Sequence, residues 1–445
     1  MRSSVFPIIV LFSLCLIQAQ ERNLQNIQQP SFVDAISNWV DSDTLEYVNK
    51  NNLSKIIQFL SSEELEGRLT GSRGEELASQ YLVKELEKLS LTPYLHEDFI
   101  HVFEYKVRLN PHNPNESKDN HGKNVIAYLD NDANKTIIIG AHYDHLGRNE
   151  HRQSTLPNSD GMIHYGADDN ASGVASVMEI ARILSQNSKT EEANFVFALF
   201  SGEEDGLIGS KQFSDALEIQ KMIPSWAPKS WRSPVVTMIN LDMIGRLNQE
   251  KVLNVGGIGT SPKFGEIAER LKPDGVNLAI DSSGIGPSDH TSFYVKNIPV
   301  LFFFTGTHED YHKPSDVYEK INLNGVKLIT KYVYEILEEI MKEESLPFLE
   351  TKAQTERIVP QYEVSLGIMP SYADSDSGMR VDGVMHNRPG DKAGLKQGDV
   401  ITKIGECEIK EIYSYMECLS ELKPGDEVQL IYIRQGNEQT TKVFF

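Results

Sequence analysis

Five segments of this chain place a metal-binding or proton-transferring side chain at or just beyond a run of apolar residues. "TIIIGAHYDHLG" ends in His142, Asp144 and His145, and "MIHYGADDNASG" holds Asp168 and Asp169. "FVFALFSGEEDGLIGS" carries Glu203 and Glu204, "VTMINLDMIGR" carries Asp242, and "LFFFTGTHEDYHKPSD" carries His308, Glu309, Asp310 and His312. Each alone is ordinary, since polar residues fill loops and Asp suits turns and helix N-caps. Asp242 is harder to dismiss, because a carboxylate within "MINLDMIG" should be buried, and a buried charge is costly without a partner. A cation would offset that cost. Imidazole and carboxylate oxygen both suit zinc, and a catalytic zinc site keeps a position for water. Two ions need a shared carboxylate and two further ligands each. His142, Asp242, Glu204 and His312 around a bridging Asp169 supply that count. Glu203 is then left beside the ligands, placed to act as general base, taking a proton from water and returning it to a leaving amine. Asp144, two residues after His142, shares its face if the strand persists and is expected to accept the other ring N–H of His142. By the same alternation His145 points away and is not expected to ligate.

These residues need a frame that brings them to one place. Near-continuous apolar runs, "NVIAYL", "TIIIGAH", "NFVFALF", "VVTMINLD", "VLNVGG" and "PVLFFFTG", alternate with helical stretches such as "ASGVASVMEIARILSQ" and "NGVKLITKYVYEILEEIMKEE". Strands of this kind are covered on both faces, which indicates an α/β architecture: a mostly parallel mixed sheet sandwiched by helices. In such sheets ligands bind beyond the carboxyl ends of the strands, where these acids and imidazoles fall. "NAS" ahead of the first helix offers capping side chains. Residues 31 to 90 read as helices around a Gly-rich turn.

The 445 residues suggest two to three domains, and a formal charge of −21 argues against nucleic acid or anionic membrane as partner. Arg2, the apolar "VFPIIVLFSLCLI" and "QAQE" read as a signal peptide over residues 1–19, cut after Ala19, so the protein is expected to be exported to the periplasm or medium. That stretch is too short to span a bilayer comfortably, and no other run is as apolar. An N-terminal segment (20–44) precedes the catalytic domain (45–344), a linker with weak periodicity (345–360) comes next, and a β-rich domain occupies 361–445. Cys407 and Cys418, the two cysteines outside the signal, are open between a disulfide and two thiols.

In order and chemistry, "AHYDHLG", "GADDNASG", "SGEEDGLIGS", "NLDMIG", "SDHTSF" and "YHKPSD" resemble the secreted di-zinc aminopeptidase family, which also includes carboxypeptidases and glutaminyl cyclases. "LEGRLTGSRGEE" upstream is similar to bacterial members. The resemblance spans roughly residues 45 to 342 and implies the zinc exopeptidase fold, two Zn²⁺ on His142, Asp169, Glu204, Asp242 and His312, and Glu203 as general base. It further implies a cis peptide after Asp169, Tyr311 as a group steadying the oxyanion, Asp316 orienting His312, and no inserted protease-associated domain. Ser288, Asp289 and His290 either line the cleft or form a helix cap. The C-terminal part resembles a PDZ domain of bacterial protease type, with "EVSLGIMP" as its carboxylate loop. That implies Leu366, Gly367 and Ile368 meeting the C-terminal carboxylate of a peptide added as a strand. The alternative is a domain that only braces the catalytic edge. The expected function is therefore an aminopeptidase acting on peptides with a free N-terminus. A carboxypeptidase or dipeptidase would need a cation for the substrate carboxylate, with Arg246 as candidate. A glutaminyl cyclase uses the same frame, and a non-enzymatic metal-binding PDZ scaffold would have no use for Glu203.

Overall fold

The computed structural model describes residues 47–108, 117–218, 228–351, 364–370, 378–384, 388–410 and 412–445. The expected signal peptide, the segment 20–44, residues 352–360 of the expected linker and residues 361–363 lie outside the described residues.

Nine strands build the larger sheet: β1 (Thr92–Pro93), β2 (Ile100–Arg108), β3 (Ser117–Leu129), β4 (Thr136–His142), β5 (Asn194–Phe200), β6 (Val235–Leu241), β7 (Val252–Gly256), β8 (Asn277–Ile280) and β9 (Val300–Phe304). Their order is β1-β3-β5-β4-β6-β9-β7-β8, with β2 paired to β3. The centre, β5-β4-β6-β9, is parallel, and β3 and β7 flank it antiparallel. Every residue of β4 and β5 is buried. Ile138, Val196 and Met238 face one way, against Phe213 of helix Ile208–Glu218 and Phe293 of helix His290–Tyr294. Alternation turns Ile137, Ile139 and Phe197 to the other face, where helix Gly173–Gln186 packs on β4 beside helices Lys50–Leu60 and Leu323–Lys342. Each such fully buried side chain contributes roughly 1.5–3 kcal/mol.

The register aligns the strand ends. His142 lies opposite Phe200, Gly140 opposite Asn240, and Leu241 opposite Phe303. The residues just after β4, β5, β6 and β9 therefore emerge side by side at one edge. Of the expected capping side chains in "NAS", Asn170 caps the helix that follows Asp169, its Oδ1 accepting from Gly173 N at 2.9 Å and from Met243 N at 3.1 Å, while Ser172 makes no capping bond.

All six expected strands form. The sequence pattern does not mark β1, β2, β8 or the first half of β3, whose polar "SKDNHGK" extends by pairing with β2 alone, from Ile100 opposite Val125 to Arg108 opposite Ser117. Residues 345–351, expected as linker, run along the domain. Leu349 N–H donates to Thr260 O at 2.8 Å, Thr351 N–H to Tyr294 Oη at 2.9 Å, and the Phe348 ring lies 5.3 Å from that of Tyr294.

The C-terminal sheet runs β10 (Ile368–Pro370), β11 (Met379–Val384), β12 (Val400–Ile404), β14 (Glu427–Arg434), β15 (Asn437–Phe444), with β13 (Cys407–Glu408) on β12. Every pairing is antiparallel. Leu366, Val381, Ile401, Leu430 and Val443 form its buried centre. Cys407 and Cys418 are joined as a disulfide, Cα atoms 5.8 Å apart, which links β13 to helix Ile412–Ser420. Among the described residues no helix is long and apolar enough to cross a membrane.

Candidate metal centre

The five expected ligands meet beyond the carboxyl ends of the parallel strands. Asp169 lies between two imidazoles, with Oδ1 3.3 Å from His142 Nε2 and Oδ2 3.2 Å from His312 Nε2. On one side His142 Nε2 is 3.2 Å from Asp242 Oδ1. On the other, His312 Nε2 is 3.0 Å from Glu204 Oε2. Glu203 stands next to the first group, its Oε2 4.0 Å from His142 Nε2. Two sets of three donors, His142 with Glu203 and Asp242, and His142 with Asp169 and Glu204, each gather within 4.8 Å, close enough to hold a metal ion. The peptide between Asp169 and Asn170 is cis.

Burial and charge oppose each other throughout this cluster. Burial alone would discharge both rings, yet the surrounding acids raise His142 well above the usual imidazole range, and Glu204 with Asp169 raises His312 to about 10. Burial likewise pushes Glu204 up, but His312 wins and holds it at about 2, while His142 and His312 hold Asp169 well below its ordinary value. Glu203 and Asp242 go the other way, raised by burial. A buried group of carboxylates that retains protons on its imidazoles has unmet demand for positive charge, which a divalent cation meets. Imidazole nitrogens and carboxylate oxygens, without thiolate, suit zinc. The residues present fit that ion.

The supporting contacts differ from expectation in several places. His142 Nδ1 is 3.6 Å from Asp144 Oδ1 and nearer, at 3.3 Å, to the Asp144 carbonyl, so both parts of Asp144 face that ring edge. Asp316 does not orient His312. Its Oδ2 accepts from the backbone N–H groups of Asp168 at 2.9 Å and Asp169 at 3.1 Å, and its carboxylate is committed there. His312 Nδ1 instead meets Gln153 O at 3.2 Å. His312 is left-handed at φ +54°, uncommon for a residue with a Cβ, and its carbonyl is held by Ser154 Oγ at 3.0 Å and Thr155 N at 3.1 Å. His145, expected to point away, is fully buried with Nδ1 2.8 Å from Glu204 Oε1. The strand ends at His142, so alternation no longer governs His145.

Ser288 and His290 do not line a cleft. Both are buried, Ser288 Oγ donates to Asp242 Oδ2 at 2.7 Å, and His290 stacks on Phe302 at 4.4 Å. Tyr311 is half-buried with its ring 4.1 Å from that of His312. Arg246 NH2 is 3.1 Å from Asp310 Oδ2 and 3.2 Å from Asp316 Oδ1. In the C-terminal domain Gly367 is left-handed at φ +67°, its N–H donates to Ser365 Oγ at 3.0 Å, and Leu366 O accepts from Gly390 N at 2.7 Å.

The α/β sheet thus carries a cluster of acids and imidazoles at its carboxyl edge and is followed by a small antiparallel β-domain. Residues 124–337 match the model of peptidase family M28, and residues 364–444 match that of the PDZ domain. A probable leucine aminopeptidase of Arthroderma otae is 25% identical over 229 residues, 49% of this chain and 56% of its own length. The chain thus spans about half the length of the curated relatives it matches. The fold is similar to a glutaminyl cyclase of Fimbriiglobus ruber, with TM-score 0.53, 17% identity, and 68% and 98% of the two chains covered. It is also similar to a zinc aminopeptidase from Bacillus subtilis, with TM-score 0.50, 16% identity, and 69% and 99% covered.

Proposed function

We propose that the protein is an exported zinc-dependent aminopeptidase that removes residues from peptides with a free N-terminus. The observation that carries this reading is the position of Glu203, a carboxyl outside the two imidazole–carboxylate pairs yet 4.0 Å from His142. His142 and Asp242 would hold one zinc ion, Glu204 and His312 a second, with Asp169 shared. Bound there, zinc would supply Lewis acidity toward the scissile carbonyl and toward water. Glu203 accepts the proton of the attacking water and delivers it to the departing amine, and its burial, which raises its pKa, suits that return step. Tyr311, beside His312, donates its hydroxyl toward the carbonyl oxygen as charge develops there. Asp144 holds the His142 ring, while Asp316 holds the backbone that presents Asp169.

An acidic site favours a substrate ammonium. The cation that a carboxypeptidase would need is engaged elsewhere, since Arg246 lies between Asp310 and Asp316. For the domain limits we propose a signal peptide over 1–19, a catalytic domain over 45–344 with residues 345–351 docked on it, and a PDZ domain over 361–445 that would receive a C-terminal peptide at Leu366, Gly367 and Ile368.

Mass spectrometry of products from matched peptides tests the reading. Loss of N-terminal residues that acetylation blocks and C-terminal amidation leaves unaffected is the expected result. Shortening from the C-terminal end would overturn the assignment, and loss of ammonia from an N-terminal glutamine without hydrolysis would point to a cyclase.

A further inference from the structure

The segment "EGRLTGSRGEE" lies outside the span matched to family M28, which begins at residue 124, yet it contacts the loops beside the candidate metal centre. Arg68 is fully buried and spends its guanidinium on carbonyl oxygens. It donates to Tyr143 O at 2.7 Å, Tyr165 O at 2.8 Å and Gly166 O at 3.0 Å, and also to Leu60 O. It therefore ties the loop after His142 to the loop before Asp169. Gly67 passes so close to these loops that a Cβ there would lie 2.5 Å from His164 O and 2.6 Å from Gly147 O, at a left-handed φ of +77°.

Thr70, two residues on and also buried, connects the proton-transfer group to the same frame. Its hydroxyl donates to Asp144 Oδ2 at 3.0 Å and accepts the N–H of Gly202 at 2.9 Å. Asp144 Oδ1 in turn accepts the N–H of Glu203 at 3.3 Å. The hydroxyl has one proton, and these partners use it without conflict: Asp144 accepts and Gly202 donates. The neighbouring Ser201 Oγ, 3.1 Å from Thr70 Oγ1, directs its own proton to Glu75 Oε1 at 2.5 Å. Glu75 is anchored by the N–H groups of Gly71 at 2.7 Å and Lys123 at 3.0 Å. So the turn that carries Glu203 and Glu204 is bound on one side to the carboxylate facing His142 and on the other to the helix just after Thr70.

We infer that Thr70 is a positioning residue: its hydroxyl sets the Glu203 carboxyl relative to the His142 ring by joining Asp144 to the Gly202 amide. This rests on the reading that Glu203 moves the proton. Removing the hydroxyl leaves a buried N–H and a buried carboxylate oxygen each short of a partner, so the turn relaxes away from Asp144.

The test compares Thr70→Val, nearly isosteric, with Thr70→Ser, which restores the hydroxyl, in the full chain. For Thr70→Val we expect kcat to fall about 10–100-fold with KM and zinc content unchanged. Thr70→Ser should recover most of that loss. A second readout needs no activity: in zinc-stripped protein, hydrogen exchange of the peptide over residues 201–206 should quicken in Thr70→Val and not in Thr70→Ser. If Thr70→Val does not fold, Thr70→Ala deletes the same hydroxyl, and the same outcome is expected. Wild-type kcat and wild-type exchange in the hydroxyl-less variant would overturn the proposal, as would a loss that Thr70→Ser fails to recover. Should the wild-type protein cleave no peptide, the functional reading falls, while the exchange comparison still decides whether Thr70 holds the turn.

Discussion

His145 Nδ1 lies 2.8 Å from Glu204 Oε1, on the carboxylate oxygen that faces away from His312. An imidazole N–H in this position fixes the plane of the carboxylate and leaves Oε2 directed at the metal centre. His145 thus stands to Glu204 as Asp144 stands to the His142 ring, each facing the side of its neighbour turned away from the cluster. Replacing it by Phe should weaken zinc binding about 10–100-fold while leaving the fold intact. Competition with a chromophoric chelator measures this directly, and an unchanged affinity would remove His145 from the site.

Arg246 joins two carboxylates, and one of them, Asp316, holds the backbone N–H groups of Asp168 and Asp169. Arg246→Met leaves both acids buried without that cation, a change that costs on the order of 3 kcal/mol in comparable pairs. Denaturant unfolding should register that loss, and the end of the peptide that is attacked should not change. A variant as stable as wild type that gained or lost action at C-termini would mean that Arg246 faces substrate after all.

Away from the metal centre, His101 on β2 stacks on His96 at 4.9 Å and lies 3.1 Å from Asn124 Nδ2. Burial, with a smaller contribution from His96, lowers its pKa from 6.5 to about 4. The folded state therefore refuses a proton that the unfolded chain accepts, and stability falls as pH drops from about 6.5 towards 4. The penalty is absent above that window. His101→Asn, which still accepts from Asn124, should show a smaller drop in melting temperature between pH 7.5 and pH 5 than wild type. Equal drops would show that the His101 ring is solvated.

The residues of the candidate metal centre were legible because the fold advertises them. Ile137–Ile139 and Phe195–Phe200 mark buried parallel strands, and the residues just past each strand must emerge at a common edge. The identity of the supporting groups was not legible. His145 depends on where β4 stops, which no local pattern states. Asp316 sits close to His312 in sequence, but one oxygen is claimed by backbone N–H groups on a distant turn and the other by Arg246. The polar half of β3 exists only through β2, and residues 345–351 dock through Tyr294 and Thr260, partners more than fifty positions away. Long-range pairing of this kind leaves no periodicity to read.

The assignment of roles within the cluster turns on Glu203. We expect Glu203→Gln to bind zinc with the stoichiometry of the wild-type protein, by elemental analysis after gel filtration, and to lose nearly all turnover of a peptide with a free N-terminus. Retained turnover would contradict its role as the proton-transfer group, and loss of zinc along with activity would make Glu203 a ligand instead.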